Sequence, residues 1–140
     1  MVGEFIHLGL GSAIEWQAED LQKRSAIECE VELVPADITV YEKYSTTLFR
    51  IFQESLTIVH RHAKATNVTA TLSDKGDSII LDIADNGVRI TTENLSKATS
   101  FGLLGMRERV QICNGEVWIP GIQNAGTTIT VVIPKDKDKH

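Results

Sequence analysis

The stretch FRIFQESLTIVHRHAKA, residues 49–65, decides the fold because it predicts a long helix with two different faces. On one face, apolar and small residues recur at three- and four-residue steps, the spacing of a helix that packs on a core. That stripe consists of Tyr44, Leu48, Ile51, Phe52, Ser55, Val59 and Ala63. The second face carries Arg50, Glu54, Thr57, Ile58 and Arg61. A carboxylate and a guanidinium opposite the core indicate either a solvated surface or a binding site, and Ile58 fits neither.

The whole chain has the size and composition of one soluble domain. Its 140 residues, 42% apolar and 24% charged, allow one proper core but not two. A net charge of -5 argues against a nucleic-acid-binding surface. The sequence has no apolar run that spans a membrane, and residues 1–16 lack the pattern of a signal peptide. Cys29 and Cys113 lie far apart in apolar contexts, which favours two buried thiols and a cytoplasmic location.

The other periodicities predict helices at residues 9–25, 41–64 and 102–114, and strands at residues 28–34, 67–73, 78–84, 116–119 and 127–133. The polar stretch between the third predicted strand and the third helix is of the kind that often forms a functional lid. This order predicts a two-layer α/β sandwich with a mixed five-stranded sheet and three main helices on one face. Residues 1–134 form the domain, and residues 135–140, KDKDKH, form a solvated tail. The abrupt helical start suggests a piece of a longer protein.

The strand at residues 78–84 leads to the strongest physical indication of a site. Ile79, Leu81 and Ile83 point toward the core, and the same parity continues to Asp85. An unpaired charge on the buried side of a sheet is costly, so a carboxylate there predicts a function. At a strand end it can accept a hydrogen bond from an exocyclic amine, which suits adenine.

Three further motifs are consistent with a nucleotide site. Gly87 lets a ligand approach the backbone closely. Gly102 and Gly105 straddle the predicted helix start, where free N–H groups suit a phosphate. Thr127 or Thr128 can fix a water molecule beside Asp85 and the base. Each motif alone is common in turns and packing contacts, so the inference depends on their order and spacing.

Four blocks, FQESLTIVHRHAKA, DIADNGVRI, SFGLLGMRERV and GTTITVVIP, together resemble the catalytic, ATP-binding domain of sensor histidine kinases. The resemblance spans nearly the whole chain and is narrower for the subfamily paired with helix-turn-helix response regulators, because GLLGMRERV is specific to it. The other blocks are shared with gyrase-, HSP90- and MutL-like ATPases, whose domains have the Bergerat-type sandwich. The resemblance implies a cytoplasmic domain, in some cases the cytoplasmic part of a membrane-anchored sensor, without nucleic-acid or direct membrane contact.

The resemblance also implies a two-component phosphorelay. ATP, held between the long helix and the lid, gives its γ-phosphoryl to a histidine on a separate dimerisation domain, and a response regulator receives it next. His7, His60, His62 and His140 lack the helical dimer context of such a phospho-acceptor.

The resemblance implies a role for each site residue. Asp85 binds the adenine amine, Gly87 lines the base, and Thr127 supports them both. Gly102 and Gly105 lie by the phosphates, Glu54 orients the attacking nucleophile or a water, and Arg61 or His62 approaches the phosphates.

Two positions depart from the family pattern. Ile58 stands where the family has the asparagine that coordinates Mg²⁺, and isoleucine offers no ligand oxygen. Arg89 stands where a glycine is expected, and it either blocks the base pocket, forces the loop outward or reaches a phosphate. The alternative hypothesis is therefore a non-catalytic module of the same fold that acts by protein interaction. An unrelated α/β binding domain is a third possibility.

Overall fold

Three helices and five strands make up the described part of the chain. The computed structural model describes residues 9–60, 65–87, 97–118 and 128–135. Helix α1 is Leu10–Arg24, α2 is Glu42–Ile58 and α3 is Lys97–Ile112. The strands are β1 (Glu28–Val34), β2 (Asn67–Asp74), β3 (Ser78–Asp85), β4 (Glu116–Trp118) and β5 (Thr128–Pro134).

The strands form one mixed sheet in the order β1-β2-β3-β5-β4. Strand β1 runs parallel to β2, whereas the other three pairings are antiparallel. The β2–β3 hairpin turns at Gly76, whose φ of 92° is a conformation that favours glycine. The Gly76 N–H also donates to Asp74 Oδ1 at 2.8 Å. The predicted mixed five-stranded sheet is thus confirmed.

The core lies between one face of the sheet and the apolar stripes of the helices. Alternate residues of β3, beginning with Ile79, are buried, while the residues between them are half-buried. The same alternation puts Glu28, Glu30 and Glu32 of β1 on the opposite, exposed side. From the helices, Leu48 and Phe52 of α2 and Met106 of α3 are fully buried. One buried sheet face and three amphipathic helices give the predicted two-layer sandwich.

The start of α3 and the end of α2 differ from their predicted positions. The prediction that the third helix begins at Gly102 is wrong, because α3 begins at Lys97, five residues earlier. Its first turns have no amphipathic pattern that would predict a helix. They extend a helix whose later turns are stabilised by packing on the core. Helix α2 ends at Ile58 and continues in a wider, π-type turn at residues 59–60, whereas the remainder of the predicted helix, residues 61–64, lies outside the described residues.

Both cysteines are buried and unpaired with each other, as predicted. Burial raises the pKa of the Cys29 thiol to about 11, because the thiolate loses its hydration. No helix among the described residues is long and apolar enough to cross a membrane.

Candidate nucleotide site

Asp85 ends β3 on the core side of the sheet, as its parity predicted. Its side chain is 8% exposed and is one of the few buried polar groups of the described chain. The residue lies opposite Val68 in the β2–β3 ladder. Asp85 Oδ1 accepts a hydrogen bond from the Gly87 N–H at 2.8 Å, which closes a tight turn directly after the strand. The carboxylate is thus buried, fixed in orientation and located at the end of β3.

Asn86 locks this strand end to the neighbouring strand, a role that sequence reasoning missed. Its Oδ1 accepts from the backbone N–H groups of Thr66 and Asn67 at 2.9 and 3.0 Å, and its Nδ2 donates to Thr66 Oγ1 at 2.9 Å. Because Asn86 is exposed and follows a strand, its pattern in sequence is that of an ordinary turn. The clamp holds Asp85 and Gly87 in place on either side of it.

Glu54 and Gly102 come together from α2 and α3. The Glu54 side chain is half-buried on the flank of α2 that faces α3. A Cβ added to Gly102 would overlap the Glu54 carboxylate, so Gly102 is the residue that lets this carboxylate lie directly against the helix backbone. Gly105 differs, because a Cβ there would meet only Arg109 Nη1, at an ordinary 3.9 Å.

The early start of α3 changes what its glycines offer a phosphate. Only the first four N–H groups of a helix lack an intrahelical acceptor. Gly102 and Gly105 are the sixth and ninth residues of α3, so their N–H groups lie within the hydrogen-bonded body of the helix. The expectation that these two glycines straddle the helix start is therefore wrong, and any phosphate contact through them stays a prediction.

Ile58 belongs to the core rather than to the charged face on which the sequence placed it. Its side chain is 1% exposed and lies within the main cluster of buried apolar residues. It follows Glu54 by one helical turn, so the two side chains lie on neighbouring paths along α2. The expectation that α2 presents Ile58 on its second face is thus wrong, and that face is narrower than the helical spacing of the sequence suggested.

The residues around Ile58 do not fit a divalent cation. Isoleucine has no donor atom, and the hydroxyls of Ser55 and Thr57 donate to the backbone oxygens of Ile51 and Gln53 at 2.8 and 3.1 Å. The described residues contain no group of three or more histidine, cysteine or acidic side chains placed to hold a metal. Magnesium prefers near-octahedral oxygen ligands, and Glu54 alone is a poor substitute for such a set.

Four residues of the sequence-based site lie outside the described residues. They are Arg61, His62, Arg89 and Thr127. Their predicted roles stay predictions. The structure brings together Glu54 with Gly102, and Asp85 with Gly87.

One concavity of the described structure lies against α2. This groove of about 480 Å³ separates α1 from α2, and Gln53 Nε2 donates to Gln17 Oε1 across it at 3.3 Å. His60 and Arg24 line its rim. Glu54 and Asp85 take no part in its lining, so it is distinct from the candidate nucleotide site. Sequence periodicity could not reveal it, because it depends on how two helices pack.

Residues 43–137 match the family described as histidine kinase-, DNA gyrase B- and HSP90-like ATPase. This match covers more than half of the chain and includes nearly all of α2, β2 to β5 and α3. The chain belongs to this family, and over most of its length it is similar to sensor histidine kinases.

The chain spans about a third of the length of the curated relatives that it matches. It is 32% identical over 126 residues to the sensor histidine kinase LiaS of Bacillus subtilis, covering 90% of this chain and 34% of that protein. It is 33% identical over 129 residues to the sensor protein VraS of Staphylococcus aureus, covering 92% of this chain and 36% of that one.

Solved structures show the same fold at lower sequence identity. A blue-light activated histidine kinase of Erythrobacter litoralis superposes with a TM-score of 0.75 at 20% identity, covering 95% of this chain and 45% of that one. The histidine kinase AdeS of Acinetobacter baumannii gives a TM-score of 0.72 at 17% identity, covering 91% of this chain and 64% of that one.

Proposed function

We propose that this domain binds ATP through Asp85 and supplies its γ-phosphoryl to a histidine on a separate dimerisation domain of the same protein. A response regulator then receives the phosphoryl group, and the domain works in the cytoplasm. The observation that carries the proposal is the buried carboxylate of Asp85 at the end of β3, within a fold of the histidine kinase class. A carboxylate that is fixed and largely removed from water discriminates strongly for a donor such as the adenine amine.

Each remaining site residue has a role in this proposal. Gly87 lines the base, since its N–H already orients Asp85. Thr127, which precedes β5 in the sequence, supports the base. Glu54 orients the nucleophile, while Arg61 and His62 approach the phosphates. Phosphoryl transfer depends mostly on positioning and charge stabilisation, so these groups supply geometry and positive charge rather than covalent chemistry.

Calorimetric titration with ADP tests the proposal. The unaltered domain is expected to bind, and Asp85→Asn is expected to bind at least about tenfold more weakly, since one good charged hydrogen bond is worth about 1.5–3 kcal/mol. Asp82→Asn is the matched control, because Asp82 lies on the same strand but on the opposite sheet face, where it accepts from Thr130 Oγ1 at 2.6 Å. Absence of ADP binding, or an equal loss in both variants, contradicts the proposal.

A second function is favoured by one observation, the burial of Ile58. In this alternative the domain keeps the nucleotide-binding fold but transfers no phosphoryl group and acts by protein interaction. Labelled ATP and the full-length protein separate the two functions. Labelling of a histidine supports the kinase, and binding of ATP without labelling supports the interaction module.

A further inference from the structure

On the flank of α2 that faces α3, the described residues do not form a set of ligands for a metal ion that would accompany the phosphates. Glu54 is its anionic group, and one turn later the chain presents a buried hydrocarbon, Ile58. The nearby hydroxyls of Ser55 and Thr57 donate to backbone oxygens of their own helix. Because the side chain at position 58 has no oxygen, a cation bound to a nucleotide here would keep a water ligand in the place that a protein oxygen could have taken.

The charge around Glu54 also disfavours additional phosphates. The chain carries a net charge of -5, and among the described residues no lysine or arginine forms an ion pair with Glu54. A further phosphate on the nucleotide adds negative charge next to this carboxylate. A metal ion coordinated by both the protein and the phosphate replaces this repulsion with attraction. Where the protein supplies no such ligand, the added phosphate contributes little to the binding affinity.

We propose that this site binds adenine nucleotides independently of divalent cations, so that neither magnesium nor the γ-phosphate adds affinity. The proposal rests on the nucleotide binding proposed above and names the form of ligand that the site takes. The base supplies the binding energy through Asp85, while the phosphates lie beside a helix flank on which Glu54 is the one acidic group among the described residues. Ile58 is in this sense a specificity-determining residue, since it removes the preference for the magnesium complex of ATP.

Calorimetric titrations of the domain with ADP and with a non-hydrolysable ATP analogue, each in magnesium and in chelator, test the proposal. The dissociation constant of each ligand is expected to change by less than about threefold on adding magnesium, and those of the two ligands to differ by less than about threefold. Tightening of the analogue by tenfold or more in magnesium overturns the proposal while leaving nucleotide binding intact. No binding of either ligand overturns the proposed function, and this inference with it.

Ile58→Asn and Ile58→Val provide the matched pair. Asparagine adds an amide oxygen at the position, so magnesium is expected to tighten binding of the analogue about tenfold in this variant. Valine adds no ligand atom at position 58, and nucleotide binding by this variant is expected to stay insensitive to magnesium. A folded Ile58→Asn variant without a magnesium response contradicts the assignment to this residue. If that variant does not fold, the titrations of the unaltered domain decide the question.

Discussion

Ile58 lies one turn from Glu54 on α2, and its side chain is completely enclosed by the core. A polar residue at the same place would serve the phosphates but would have to leave or disturb that cluster. Apolar burial and a polar contact to the phosphates therefore require different side chains at position 58. In this chain the Ile58 side chain contributes apolar burial to the fold and offers no ligand atom.

At this residue we expect Ile58→Asn to lower the free energy of unfolding by about 3–5 kcal/mol, because it removes buried hydrocarbon and buries an amide. Ile58→Val should cost only about 0.5–1.5 kcal/mol, because it removes one methylene. Urea denaturation measures both values. If the two variants lie within about 1 kcal/mol of each other, position 58 is more open to solvent than the structure shows.

Asp85 and Ile58 illustrate what the sequence can and cannot predict about single residues. The burial of Asp85 followed from strict alternation along β3, since a strand has a period of two and leaves little freedom. Ile58 was harder, because the buried stripe of a helix has no sharp edge and its width depends on the neighbouring helix. The Glu54–Gly102 contact was not predictable either, since it joins residues on two different helices.

At the scale of elements, α3 differs most from its prediction. The predicted apolar stripe began at Leu103, which is partly buried, and continued through Met106, Val110 and Cys113, which are buried. The first turns, from Lys97 onward, were not predicted because no stripe marks them. The one available signal was the serine at position 96, a residue type favoured just before a helix. Extending α3 toward its N-terminus places Gly102 inside the helix and against Glu54.

The two glycines of α3 give a prediction for this element. Gly105→Ala should raise the free energy of unfolding by about 0.5–1 kcal/mol, because alanine favours a helix and its Cβ meets only an ordinary contact. Gly102→Ala should lack this gain, because the new Cβ must displace the Glu54 carboxylate. Thermal and urea unfolding of the pair measure the difference. Equal stabilisation by both substitutions means that Glu54 does not lie against Gly102 in solution.

At the scale of the whole molecule, the proposed site draws on distant parts of the chain. Helix α2, the end of β3 and α3 contribute Glu54, Asp85 and Gly102 respectively. The number of strands, the hairpin and the layer arrangement were predictable, because alternation and turn residues determine them locally. The Asn86 clamp was not, because its acceptors and donors lie on β2 and the residue before it, about twenty residues away.

The central claim is that a buried carboxylate, Asp85, recognises the amine of adenine in this domain. Titration of the same domain with ADP and with inosine diphosphate tests it most directly, because inosine has an oxygen in place of that amine. We predict that ADP binds and that inosine diphosphate binds at least about tenfold more weakly, since the ligand then sets an acceptor against the carboxylate. Equal affinity for the two diphosphates would contradict the claim.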